Sequence, residues 1–479
     1  MKNKTILEIH QDLINKKYTI EKMTNEYINK IKYFKDEKKD NVFLYTDFEN
    51  AINKSKELDK HLDQNKDNLL YGICCTLKDN IVVANQITTG GSLFLKNYIS
   101  PYSATIVNDI NDANSIILSK VALDEFGFGG TGLYSAYGII KNPIDETRIT
   151  GGSSSGTAVS VYNGTCSYSI GTDTGDSIRM PAHYLGLTGF KPSYGVISRY
   201  GVIPFASSLD HLGVIANDVT DIAIVMDSIA KFDKNDYTSI QLEKVNFYES
   251  LNLNVKPKIA ILEDAFNYVD ENIKNEYLEF LKKLESKFNV EWIKFGEKLI
   301  KIIPSVYKTI ATTEGLSNIS SMTGITFGNH ENIDYKNYKD LAIKSRSKYF
   351  GKELIKRHII GAYLSSEENF ENVYLKAVKI RNIIVNRADE ILKDFDVILA
   401  PGGSNTAPLI EDVLNFKSCS TDAENPLEIA NFGGMPSITI PLSVKNNLPF
   451  GINLMGKKYD DVNIVNIAYV LENFIKGLY

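Results

Sequence analysis

The sequence is poor in the residues that mark metal and redox centres. It has six histidines, four cysteines and one tryptophan among 479 residues. Cys74 and Cys75 are adjacent in an apolar run, while Cys166 and Cys419 stand alone, so there is no CxxC pair. That pattern argues against a disulfide framework or a cysteine zinc site and reads as buried thiols. The histidines show no ligand spacing, and no metal site is expected. Long apolar runs are missing as well. Nowhere do about 18 apolar residues follow one another, and Met1-Lys-Asn-Lys4 lacks the apolar core of a signal peptide. A soluble, cytoplasmic chain with no membrane contact is the expectation. Nor is there a surplus of positive charge. With 53 basic and 59 acidic residues the net charge is −6, and no broad footprint for nucleic acid is present.

What the chain does have is 43% hydrophobic residues, enough for a large core. Apolar positions in residues 1–35 recur at helical spacing and predict two amphipathic helices. A third is expected over 44–62. Tyr71-Gly-Ile-Cys-Cys-Thr-Leu77 is a β-forming apolar run that reads as a buried strand and delivers Lys78-Asp-Asn80 at its end. Helix and strand alternate through 104–120, strands are expected at 258–262, 395–401 and 437–441, and helices at 222–229, 271–288, 299–324, 367–392 and 462–478. Alternation of this kind predicts an α/β fold with a mixed, largely buried sheet. One domain spanning 1–479 is expected. It has an N-terminal helical region (1–68), a catalytic core (69–230), a largely helical elaboration (231–392) and a return to the sheet with a closing helix (393–479).

The chemistry concentrates in two Ser/Gly clusters, Thr150-Gly-Gly-Ser-Ser-Ser-Gly-Thr157 and Gly171-Thr-Asp-Thr-Gly-Asp-Ser-Ile-Arg-Met-Pro181. Glycine and serine let a backbone turn tightly, and N–H groups converging just before a serine can stabilise an oxyanion. A P-loop is ruled out because no lysine precedes Thr157. A serine nucleophile needs a base. His183 is the only histidine within ten residues of Ser177 and has no companion acid at a recognisable spacing. The other option is a lysine kept neutral by burial, relaying through a second serine. Lys78, at the end of a buried strand, is the candidate.

Lys78-Asp-Asn80, Gly151-Gly-Ser-Ser-Ser-Gly156 and Gly171 to Arg179 resemble the amidase-signature family, which works with a Ser–cis-Ser–Lys triad. The resemblance implies that family's fold, a central mixed β-sheet covered by helices on both faces. It implies Ser177 as nucleophile, Ser153 as bridging serine after a cis peptide bond, and Lys78 as base. The backbone N–H groups of Thr174, Gly175, Asp176 and Ser177 would form the oxyanion hole. Leu123-Asp-Glu-Phe126 and the stretches 138–143, 189–201, 207–213, 431–436 and 449–456 narrow the likeness to the A subunits of tRNA-dependent amidotransferases. Such a subunit is a glutaminase in a heterotrimer. It makes ammonia for converting Glu-tRNA(Gln), or Asp-tRNA(Asn), to the amide, beside partner subunits B and C. It carries no cofactor; ATP and Mg belong to a partner, which also holds most of the aminoacyl-tRNA. The family pattern assigns Arg357 to the glutamine carboxylate, Glu424 (with Asp422 as the other choice) to its ammonium, and Tyr307 to a further contact. The sequence departs from the pattern at Asp176, where glycine is usual, and at Ser155, Ala400–Ser404 and Glu424. A stand-alone amidase and a non-catalytic scaffold are the competing readings.

Overall fold

In the computed structural model, residues 4–243, 245–415 and 425–478 are described. Eleven strands form one sheet among them: β1 (Phe43–Thr46), β2 (Cys74–Lys78), β3 (Ile116–Val121), β4 (Tyr168–Asp173), β5 (Thr188–Lys191), β6 (His211–Ala216), β7 (Lys258–Leu262), β8 (Asn289–Ile293), β9 (Val397–Pro401), β10 (Ser437–Lys445) and β11 (Leu448–Gly456). Their order is β1-β3-β2-β4-β6-β5-β10-β11-β9-β7-β8. The sheet is mixed, as expected. β2 runs parallel to β3 and β4, and β7 runs parallel to β9 and β8, while the central pairs from β4 through β11 to β9 are antiparallel.

Helices cover both faces. Successive Cβ atoms of a strand point to opposite sides. Ile259, Ile261, Val397 and Leu399 therefore pack into a core with helices Glu271–Glu285 and Asp461–Lys476. Ala260, Leu262, Ile398 and Ala400 pack into a second core with helices Glu297–Ile319 and Leu375–Asp394. Strands buried on both faces show no apolar/polar alternation, which is why these read in the sequence as short continuous runs.

The expected helices at the start are Ile6–Ile14 and Ile20–Lys32, the first held by a reciprocal Thr5–Glu8 capping box. The helix expected over 44–62 is shorter: β1 occupies 43–46 and pairs with β3, and Asp47 caps helix Phe48–His61. β4, β5, β6, β8 and β11 were not legible as strands. β5, β6 and β11 contain buried glycines that look like turn signals in sequence, and β8 is a largely exposed edge strand. The 367–392 helix is interrupted by a π-helical turn at Phe370–Tyr374. Cys74, Cys75 and Cys166 are buried free thiols; Cys419 lies outside the described residues. No described helix is long and apolar enough to cross a membrane.

Candidate active site

Parallel pairing of β2 and β4, with Leu77 opposite Ile170, brings their C-terminal ends to one edge of the sheet. Lys78 ends β2; Thr172 and Asp173 end β4. The first Ser/Gly cluster leads into helix Ser155–Tyr162, and the second leads into helix Arg179–Leu185. Loops at the carboxyl ends of adjacent parallel strands are where α/β sheets hold their ligands.

Lys78 is wholly buried. Its Nζ donates to Ser153 Oγ (2.7 Å), Ser154 Oγ (2.9 Å) and Thr172 Oγ1 (2.8 Å). The Gly152–Ser153 peptide bond is cis. Burial pulls the Lys78 amine down to about 7, against the opposing pull of Asp124, Asp173 and Asp210. A neutral amine at this position can accept a proton from Ser153. The contacts from Ser154 and Thr172 were not foreseen; their only sequence signal is membership of the same two clusters. Ser177 is 4% exposed, and its carbonyl accepts from the Ser154 N–H (3.3 Å), so the two clusters touch.

The loop 173–179 is clamped from outside the site. Arg179, fully buried, reaches Asp173 Oδ1 (2.9 Å), the Gly175 carbonyl (2.6 Å), Asn431 Oδ1 (2.6 Å) and the Leu427 carbonyl (2.8 Å). Burial alone would raise the Asp173 carboxyl, but the Arg179 guanidinium outweighs it and holds the group well below the usual carboxylate range. Asp173 Oδ2 takes the Ile178 N–H (2.9 Å). Thr174 Oγ1 donates to Asp210 (2.7 Å), which also receives the Phe205 and Ala206 N–H groups. With its ends fixed, the loop leaves the Thr174, Gly175 and Ser177 N–H groups without an acceptor among the described residues. Unpaired, preorganised donors of this kind suit a developing oxyanion.

Asp176 keeps a negative φ, so the backbone accommodates a non-glycine residue. Its carboxylate accepts from Asn425 Nδ2 (2.7 Å). Gly175 faces Tyr307 so closely that an added Cβ would lie 2.8 Å from the ring Cζ. Tyr307 in turn lies within electrostatic reach of Arg357 and Asp176. Arg357 Nε bonds to Glu353 Oε1 (2.9 Å) one turn back on helix Lys352–Leu364; its terminal nitrogens make no hydrogen bond among the described residues. Tyr307 and Arg357 thus converge on the loop from the helical segment between β8 and β9. Glu424 and Asp422 lie outside the described residues. His183 is not part of the site. Its Nδ1 accepts from the Gly451 N–H (3.0 Å), its Nε2 bonds the Asn405 carbonyl (2.9 Å), and burial lowers it to about 4. A cavity of about 350 Å³ adjoins the loop and is lined by Asn80, Gly127, Thr172, Thr174 and Asp210 among others.

A buried lysine bonded to one serine, with a second serine beside a loop of unpaired N–H groups, is an arrangement suited to hydrolysing amides with a serine nucleophile. The amidase family pattern matches residues 22–465, and the chain belongs to that family. It is 40% identical to the A subunit of glutamyl-tRNA(Gln) amidotransferase from Mycoplasma genitalium, over 84% of this chain and 86% of that one. It is 35% identical to the corresponding protein of Clostridium botulinum (strain Alaska E43), over 97% and 96% of the two chains. Among solved structures it resembles the A subunit of the Thermotoga maritima glutamyl-tRNA(Gln) amidotransferase (TM-score 0.78, 29% identity, covering 98% and 95%). The peptide amidase of Stenotrophomonas maltophilia shares the fold (TM-score 0.82, 24% identity, covering 99% and 97%).

Proposed function

We propose that this chain is the glutamine-hydrolysing A subunit of a tRNA-dependent amidotransferase. Neutral Lys78 takes the proton of Ser153, which takes that of Ser177, and Ser177 Oγ attacks the side-chain amide carbon of glutamine. The N–H groups of Thr174, Gly175, Asp176 and Ser177 hold the resulting oxyanion. Collapse expels ammonia, with Ser153 returning the proton to the leaving nitrogen. Water then hydrolyses the glutamyl ester by the same relay in reverse. Arg357 receives the α-carboxylate in the bidentate geometry a guanidinium favours. Tyr307 lies against the substrate, and Glu424, or Asp422, faces the ammonium. Ammonia passes to a partner subunit that uses ATP and Mg to activate the carboxylate of Glu-tRNA(Gln) or Asp-tRNA(Asn). The complex, with subunits B and C, works in the cytoplasm, where charged tRNA is found.

The observation that carries the reading is the 2.7 Å bond from wholly buried Lys78 to Ser153, beside the loop that ends in Ser177. The full-length likeness to named A subunits supports the substrate. The test is ammonia release from L-glutamine by the chain alone and with subunits B and C, beside Ser177→Ala. Release that the partners stimulate and that Ser177→Ala abolishes is expected. Equal release from glutamine and simple amides by the lone chain would indicate a stand-alone amidase. A complex that assembles but releases nothing would indicate a scaffold.

A further inference from the structure

Leu123-Asp-Glu-Phe126 carries two adjacent buried carboxylates committed to different parts of the molecule. Asp124 accepts the N–H groups of Thr131 (3.1 Å), Gly132 (3.1 Å) and Tyr134 (2.9 Å), and it faces Lys78. Glu125 turns away from the triad. Its Oε1 accepts the Ser92 hydroxyl (2.5 Å), and its Oε2 accepts the Gly351 N–H (2.8 Å), 226 residues along the chain.

Gly351 is the residue at the head of helix Lys352–Leu364, the helix that bears Arg357. That helix has no side-chain cap of its own, and the Glu125 carboxyl group, pushed up to about 7 by burial, accepts the N–H at its N-terminal end. The neighbouring residues pack against the start and the second turn of the same helix. The Phe126 and Phe350 rings lie 6.2 Å apart, and those of Phe128 and His358 lie 5.8 Å apart. The fit is close: a Cβ added to Gly351 would fall 2.5 Å from Glu125 Oε2. The φ of Gly351 is −69°, which any residue adopts, so it is space and not backbone freedom that favours glycine here.

We infer that Glu125 is a positioning residue for substrate selection. It fixes where helix Lys352–Leu364 begins and thereby sets Arg357 at the distance from Ser177 that admits the α-carboxylate of glutamine. The inference rests on the proposed role of Arg357. Bidentate pairing is strict in geometry, and a displacement of about 1 Å at the guanidinium is enough to lose about 100-fold in a reacting site. One four-residue run thus supports both halves of the site: Asp124 beside the triad and Glu125 beneath the specificity helix.

The experiment uses the full chain with Ser177→Ala, which prevents turnover. Ligand-observed NMR titration measures binding of L-glutamine and of 4-aminobutanamide, which keeps the amide and the amine but lacks the carboxylate. In this background Glu125→Ala is expected to weaken glutamine binding by about tenfold, the scale of one lost buried hydrogen bond. Binding of 4-aminobutanamide should stay within about twofold. Glu125→Gln restores glutamine binding, because its amide oxygen still accepts from Gly351 and its NH₂ can donate to Ser92. Gly351→Ala reproduces Glu125→Ala. Glutamine binding unchanged in Glu125→Ala, an equal loss of both ligands, or no rescue by Glu125→Gln would overturn the inference while leaving the proposed function standing. If the parent chain binds no glutamine either alone or in complex with subunits B and C, the substrate reading falls and the inference falls with it.

Discussion

Lys78 shows what burial does to a single residue. In water an amine is a cation near pH 7 and cannot take a proton from serine; enclosed by Ser153, Ser154 and Thr172, it titrates at about 7. In the proposed mechanism the neutral form is the base, so kcat/KM for glutamine should fall as pH drops through about 7, tenfold per unit below it. The groups facing the amine are Asp124, Asp173 and Asp210, and burial pushes Asp210 itself up to about 6. A pH–rate profile flat from 5 to 8 would remove Lys78 from the role of base. Lys78→Ala should cost about 1,000-fold or more in kcat, as loss of a member of a catalytic unit does. Asp176 illustrates the reverse lesson. A carboxylate pointing into an oxyanion hole would oppose the developing charge, but the Asp176 side chain is bonded to Asn425.

At the scale of elements, the loop between β4 and helix Arg179–Leu185 is rigid because residues far away in sequence hold it. Arg179 joins Asp173 and Gly175 to Leu427, Asn431 and Ser437. Arg179→Met would leave the Asp173 carboxylate buried without its cation, which costs about 3–5 kcal/mol. Urea denaturation should register a loss of that size. A change under about 1 kcal/mol would mean the pair contributes little. The Arg179 position was visible in the sequence as the end of a motif. Its partners Leu427, Asn431 and Ser437 were not, because nothing local relates positions some 250 residues apart.

For the whole molecule, one sheet joins strands from residue 43 to residue 456, and the segment that carries Tyr307 and Arg357 is inserted between two of its strands, β8 and β9. The only tryptophan, Trp292, lies on β8 at the sheet edge far from β2, its ring 6.0 Å from that of Phe266. Because the sheet is continuous, Trp292 fluorescence, far-ultraviolet circular dichroism and glutamine hydrolysis should be lost in one coincident transition on denaturation. Fluorescence changing well before activity would mean that the β7–β8 edge opens independently of the catalytic half.

The sequence alone determined the chemistry on offer. The Ser/Gly clusters, the strand ending in Lys78 and the helix–strand alternation are local patterns, written in neighbouring residues whose spacing follows backbone periodicity. Amphipathic helices and the glycine-free buried strands were legible for the same reason. Tertiary structure decided what those residues became. Parallel pairing of β2 with β4 brought an amine to a serine 75 residues away, and exclusion of water lowered its pKa to about 7. Glycine-bearing β5, β6 and β11 became central strands only because partners lay on both sides of each. Glu125 met the helix of Arg357 across 226 residues. Burial and long-range contact are properties of the assembled chain, and no stretch of sequence holds them by itself.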